Sequence, residues 1–328
     1  YGDECVPGNV LRLDNRRKFF SVYVSVREFG PTLLKHEHMW LPLAAIRSSI
    51  AKDIPGGISR CFRQLFRRWF LVDKVSSDGV LLDLAIPGSQ HARIHFRLGN
   101  VLADGDAYRA IWSAKGAAGK LPCLLCKSVL TERTTSRYLV HISCPHAEKF
   151  DLASNEDIWE KADKLTASIA ETKKFHAALQ MTLGLTYSPS GLLWDEELRP
   201  FVKPVDVITL DPMHGLISNG VAQNEASLLL QALAPHGVTW EHIRSFGSSG
   251  WHFCRALGSP KVLLESFSSA REKAFRSDWG FKATASEMLV LCPILQYFVH
   301  RVVHHPVQEV LQDRAKQEHF RGLASGMA

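Results

Sequence analysis

The rhythm of apolar and polar positions changes near residue 150. Upstream, period-two stretches dominate. Phe19 to Phe29 (FFSVYVSVREF) is β-branched and aromatic with partial alternation, which predicts a strand. Trp40 to Ile46 predicts a second, short strand after a turn rich in His and Lys, and Val80 to Ile86 and Ala92 to Val101 predict two more. Two helical patterns interrupt them. Ile58 to Val72 places Phe62, Leu65, Phe66 and Trp69 on one face and Arg60, Arg63, Arg67 and Arg68 elsewhere. A shorter helix after Asp104 carries Tyr108, Ile111 and Trp112 on one side. Strands mixed with helices in this order predict an α/β fold, a mixed sheet with helices against it.

Downstream the strand signal fades. Asn155 to Leu183 has Ile158, Leu165, Ile169 and Leu179 as spaced apolar positions, predicting one long helix. A loop with Gly184, Pro189, Gly191 and Pro200 follows, then helices near 212–234, 239–245 and 260–277. A last helix, Ala283 to His304, carries Glu287 and contains Pro293, which predicts a kink. The expected organisation is a strand-rich core over 1–149, a mainly helical insertion over 150–280, and a C-terminal core helix with its tail over 281–328.

Composition narrows the class. With 328 residues, 46% of them hydrophobic, the chain can bury the core of one large domain or of a domain with an insertion. The net charge of +6 permits a polyanionic partner without demanding one. No apolar run approaches the roughly 18 residues that span a bilayer, and no signal peptide opens the chain. The chain starts at Tyr1 and its first methionine is Met39, so it reads as part of a longer protein. Its seven cysteines are odd in number and scattered, which favours reduced thiols, with a metal site, over a disulfide framework. The expectation is an intracellular protein, not secreted and without a membrane partner.

Four constellations carry candidate chemistry. Asp3 (YGDECVPGN), Asp104 (LADGD) and Glu287 (ATASEML) are acids at strand mouths and on a late helix. Converging at one end of a sheet, they would bind two divalent cations and support phosphoryl transfer. The same acids also suit turns and helix caps, and Asp106 competes with Asp104. Cys123-Leu-Leu-Cys126 has the spacing of two zinc ligands, with His141, Cys144, His146, His214, His252 and Cys254 as candidates to complete a tetrahedron. A pair of semi-buried thiols is the plainer reading. Asp211-Pro-Met-His214 reads first as a helix start, Asp capping and Pro in the first turn, with His214 free to ligate or hydrogen-bond. Arg16, Arg17 and Lys18, then Arg60, Arg63, Arg67 and Arg68, then Lys115, Lys120 and Lys127 either grip phosphates or are solvated faces.

Taken in order, YGDECVPGNVL, LADGDAYRAIWSAKGAAGKLPCLLCK, TLDPMHGLISNG and FKATASEMLVLCPIL resemble the signature stretches of DDE-type transposase catalytic domains. The group is the one containing the CACTA and Kyakuja/Dileera/Zisupton elements, Transib and the catalytic core of the V(D)J recombinase. The resemblance implies an RNase H-like fold with a large helical insertion, and Asp3, Asp104 and Glu287 as the catalytic, metal-binding triad. It implies two Mg²⁺ or Mn²⁺ ions, DNA as transposon ends and target, a homo-oligomer and a nuclear site of action. In recombinase-like members the Cys pair binds a structural zinc with two His ahead of the Glu. This chain departs there: no such His pair precedes Glu287, and His252 with Cys254, or His214, are the nearest substitutes for it as partners of Cys123 and Cys126. The activity implied is DNA nicking and strand transfer. The alternatives are a transposon remnant that binds DNA or protein without cutting, and a host RNase H-like nuclease.

Overall fold

The computed structural model describes residues 1–5, 18–82, 92–133, 135–136, 138–217, 220–249 and 259–300. The chain forms two compact units, Tyr1–Leu210 and Asp211–Ala328. The sequence pattern placed its changes of character near 150 and 280 instead.

The first unit is built on a mixed five-stranded sheet. β1 (Gly2–Cys5), β2 (Phe19–Val24) and β3 (Leu41–Arg47) form an antiparallel meander. Helices α1 (Gly30–Leu34), α2 (Ser48–Asp53) and α3 (Gly57–Phe66) accompany it, and α3 runs on through a wider π-type turn, Arg67–Val72. β4 (Val80–Leu82) and β5 (Ala92–Ile94) pair only with each other. β6 (Val101–Ala103) then returns to lie parallel to β1 and leads into α4 (Gly105–Trp112). A small parallel pair, β7 (Val129–Leu130) and β8 (Val140–His141), precedes α5 (Asn155–Ala167), α6 (Lys173–Leu183) and α7 (Pro204–Val207). β9 (Ile208–Leu210) closes the sheet, parallel to β6, giving the order β3-β2-β1-β6-β9.

The core explains why these segments fold this way. Phe62, Phe66 and Phe70 recur every four residues, so they share one face, and all three are buried. Phe62 meets Phe20 of β2 edge-on at 6.2 Å, and Phe70 stacks on Phe201 at 5.2 Å. Tyr108, Ile111 and Trp112 of α4 and Ile158 and Leu165 of α5 join the same cluster. Each such side chain contributes about 1.5–3 kcal/mol on burial. On its other side the helix sends Arg63 and Arg67 to the buried Asp195 (2.6 and 2.9 Å).

Several expected elements are subdivided. The run Ala92 to Val101 changes sheets, β5 pairing with β4 and β6 with β1 and β9. Residues 83–86 of the expected third strand lie outside the described residues. Asn155 to Leu183 is two helices, because Ser168 hydrogen-bonds back to Leu165 O (2.8 Å) and Thr172 caps a fresh helix through Phe175 N (3.2 Å). Such side chains offer the backbone an alternative to continuing the helix. Ile169 therefore misses the apolar stripe and is exposed.

In the second unit the described residues are helical: a π-type turn at Met213–Ile217, then α8 (Val221–Leu233), α9 (Trp240–Ser249), α10 (Ser259–Ser266), α11 (Ser269–Asp278) and α12 (Ala285–Phe298). The helix expected over 260–277 is two, α10 and α11, with Ser268 at the N-cap position of the second. Trp240 sits among Phe267, Phe275 and Phe281, its ring 5.2, 5.4 and 5.9 Å from theirs. Pro293 lies inside α12, and residues 301–304 of the expected last helix fall outside the described residues. No helix among the described residues is long and apolar enough to cross a membrane.

Candidate functional site

β1 and β6 lie side by side and parallel, with Gly2 paired to Ala103. Asp3 is the next residue of β1 and Asp104 the residue that directly follows β6, so both stand at the same end of these neighbouring strands. Strand alternation fixes the face. Gly2 and Ala103 are buried, and a Cβ on Gly2 would come within 3.1 Å of Phe20 and 3.3 Å of Phe62. Gly2 therefore faces α3 and Asp3 the other way, and Asp3 and Asp104 are both half-buried.

Local bonds hold each acid. Asp3 Oδ2 accepts from the Tyr1 hydroxyl and Oδ1 from Glu4 N–H, both at 2.7 Å. Asp104 is extended (φ −69°, ψ 178°) and caps α4, its Oδ1 accepting from Ala107 N–H at 2.7 Å. Among the described residues neither acid forms an ion pair. Asp106, the competing acid, is exposed and pairs with Arg109.

Glu287 belongs to the second unit, in the first turn of α12. It completes a capping box: Thr284 Oγ1 accepts from Glu287 N–H (3.3 Å), and Glu287 Oε2 accepts from Thr284 N–H (2.6 Å). Oε1 accepts from Arg271 (2.8 Å). Burial alone would raise its pKa, but the Arg271 and Thr284 bonds outweigh it and leave the carboxyl below its ordinary value. Among the described residues no three His, Cys, Asp or Glu side chains form a preformed metal cluster.

The Cys-x-x-Cys pair lies in the first unit, in a turn anchored by the buried Leu124, whose N–H donates to the Tyr108 hydroxyl (2.9 Å). The Cys123 and Cys126 thiols are half-buried. Burial, reinforced by Cys123, pushes Cys126 up to about 11. Burial raises the Tyr108 phenol. The expected tetrahedral zinc site is not assembled from the described residues. His141 is turned to Thr131 O (3.1 Å) and Ser143 (2.6 Å), His146 to Glu148 (3.1 Å) and Cys144 to His146 O (3.9 Å). His214 belongs to the second unit, and His252 and Cys254 lie outside the described residues.

Asp211 behaves as the start of a turn. Its Oδ1 accepts from Met213 N–H (2.8 Å), and Oδ2 meets His214 Nδ1 at 2.7 Å. The arginines expected to grip phosphate have other work: Arg63 and Arg67 hold Asp195, Arg67 also pairs with Glu197, and Arg68 pairs with Asp73 at 2.8 Å. Lys120 pairs with Glu132 at 3.0 Å, while Arg60 and Lys115 are half-buried. Arg16 and Arg17 lie outside the described residues.

No family model, curated protein or solved structure matches the chain. The site therefore rests on its own geometry.

Three neighbours of these sites escaped the sequence reading. Arg271 is a partner that only the tertiary fold supplies to Glu287. Tyr108 was read as a core residue, and its hydroxyl meets the Cys loop. Lys161 left a signal: it occupies the apolar stripe of α5 between Ile158 and Leu165, a position where a lysine is out of pattern. It is 9% exposed, with no hydrogen-bond partner for its ammonium. Burial lowers its pKa, against the opposing pull of Asp157, Cys123 and Cys126.

Proposed function

We propose that this chain is a DDE transposase-like catalytic domain of RNase H-like fold that nicks and joins DNA by metal-dependent phosphoryl transfer. Asp3 and Asp104 of the first unit are its first two carboxylates, and Glu287 is the third acid only as the resemblance assigns it. Two Mg²⁺ or Mn²⁺ ions held there would activate a water against a phosphodiester, and the freed 3′-hydroxyl would then attack a second one in line. The observation that supports this reading is that Asp3 and Asp104 directly follow Gly2 and Ala103, the residues that pair between the parallel strands β1 and β6. Carboxylates brought together at this strand end would repel unless a cation sat between them. The sheet plan, an antiparallel meander extended by two strands parallel to its first, agrees with an RNase H-like core.

The test is Mn²⁺-dependent nicking of supercoiled DNA, comparing the chain with Asp104→Asn. Retained nicking in the variant sinks the reading. Strand-transfer products, as opposed to hydrolysis alone, separate a transposase from a host nuclease.

One observation favours a second reading, a non-cutting remnant that binds DNA. Glu287 already satisfies Thr284 and Arg271, and a metal would have to displace that arrangement. DNA retention without nicking in Mn²⁺ is its outcome.

A further inference from the structure

β4 and β5 stand outside the five-stranded sheet and pair only with each other, Val80 with Ile94 and Leu81 with Arg93. A two-stranded ribbon is marginal by itself in water. This one is held at its base. Phe96 N–H donates to Val75 O (3.0 Å), Ser76 Oγ to Phe96 O (2.6 Å) and His95 Nδ1–H to Ser76 O (3.1 Å). Val75 and Leu98 pack against the core of the first unit. Gly79 leads into β4 at φ +70°, where a Cβ would lie 3.0 Å from both Ile94 O and Arg93 Cγ. The base is fixed, and the strands beyond it are open: Leu81 is 55% exposed and Ile94 38%.

Charge selects what covers them. Lys74, Arg93 and Arg97 are exposed, and among the described residues none of the three forms an ion pair. Arg63, Arg67 and Arg68, by contrast, are all taken by carboxylates. Against the three cations stands Asp78, since Asp73 is already paired with Arg68. Arg93 shares a face with Leu81, its direct cross-strand partner, and donates to Asp78 O, which ties its guanidinium to the turn before β4. A two-stranded ribbon fits the major groove of duplex DNA, where apolar side chains meet thymine methyls and flanking cations meet phosphates.

We propose that the β4–β5 ribbon docks duplex DNA, with Leu81 against the groove and Arg93 and Arg97 on flanking phosphates. The duplex as partner rests on the DNA-cleaving reading; the surface rests on the ribbon alone.

The experiment titrates a short fluorescein-labelled DNA duplex with the whole chain in EDTA, where no cutting occurs, and reads anisotropy over a series of salt concentrations. Expected is saturable binding whose log affinity falls with log salt. Arg93→Ala/Arg97→Ala weakens it and makes the slope shallower by about 2, one phosphate contact for each arginine. Leu81→Glu, which puts an anion on the same face, abolishes it. Arg97→Ala alone, at a side chain with no hydrogen bond among the described residues, takes away about 1 unit of slope. That variant keeps the test sharp if Arg93→Ala loosens the ribbon, and melting curves show which variants stay folded. Unchanged affinity and slope in a folded double variant overturn the proposal, as does a wild-type chain that binds no duplex. Self-association lost in Leu81→Glu by sedimentation, with duplex binding intact, overturns it in favour of a second copy of the chain. Mn²⁺ uptake by the wild type separates the two readings. Uptake together with duplex binding indifferent to the ribbon variants fails the ribbon alone; ribbon-dependent binding without Mn²⁺ uptake fails the catalytic reading alone.

Discussion

Asp3 and Asp104 come to the same end of the parallel strands β1 and β6 because Gly2, which precedes one, pairs with Ala103, which precedes the other. That register does what neither local sequence could do alone. Asp3 follows a glycine that lets β1 approach Phe20 and Phe62, and Asp104 terminates β6 by capping α4. Each residue has a local reason to be there. Only the pairing of the strands makes them neighbours.

The two jobs of Asp104 separate by substitution. Asn caps a helix about as well as Asp, so Asp104→Asn should leave the melting temperature nearly unchanged while removing metal-dependent activity. Asp104→Ala should lose both, with a stability cost of about 1 kcal/mol from the lost cap. Thermal melts beside the nicking assay check this. A melt in which Asn is as damaging as Ala would mean that the carboxylate charge itself holds the fold.

Glu287 offers a parallel contrast. Gln serves in a capping box, so Glu287→Gln keeps the Thr284 bonds and loses only the partly exposed Arg271 pair, about 0.5–1 kcal/mol. Glu287→Ala should cost about twice that. If Gln abolishes nicking at nearly full stability, the carboxylate is needed for chemistry and not for the helix start.

Acid should destabilise the protein in a defined direction. Burial raises the Asp195 carboxyl, but Arg63 and Arg67 outweigh it and leave it below its ordinary value; Glu287 is lowered too. Groups lowered on folding contribute stability above their unfolded pKa, about 4, and lose it as pH falls through the folded value. Denaturant midpoints should therefore be flat near neutrality and fall below about pH 4. Asp195→Asn should fall less steeply there, and at pH 7 should cost about 2–4 kcal/mol, below the full price of an orphaned buried charge because both arginines are partly exposed.

Gly184 ends α6 in the left-handed region (φ +69°), and a Cβ there would lie 2.2 Å from Leu121 O in the loop leading to Cys123. Gly184→Ala meets both the left-handed penalty, about 1–2 kcal/mol, and a backbone clash. It should lower the melting temperature and also loosen the Cys turn, read as faster labelling of Cys123 and Cys126 by a thiol reagent. Unchanged labelling in a destabilised variant would show that the loop does not lean on Gly184.

How much of this was legible in the sequence depends on range. The Phe62–Phe66 spacing announced α3, and alternation announced β2, because both depend on neighbours within a few residues. Asp104 as a cap was legible for the same reason. β9 was not: Ile208–Leu210 is three residues long, too short for a period, and is a strand only because β6 lies beside it. The helix break at Ser168 was missed because apolar spacing says nothing about a hydroxyl bonding back to Leu165 O. The arginines of α3 looked like phosphate ligands until Asp195, some 130 positions away in the chain, proved to be their partner. Lys161 broke the stripe of α5 in plain view, although that it is buried with its ammonium unpartnered needed the fold.

The central claim, that Asp3 and Asp104 are metal ligands, is tested most directly by titrating the folded chain with Mn²⁺ and following the free ion by its paramagnetic resonance. The account predicts saturable Mn²⁺ binding by the wild-type chain that is lost in Asp3→Asn and in Asp104→Asn, with melting curves of the variants superimposable on the wild type. Equal Mn²⁺ uptake by the wild type and the Asp3→Asn/Asp104→Asn double variant would contradict it.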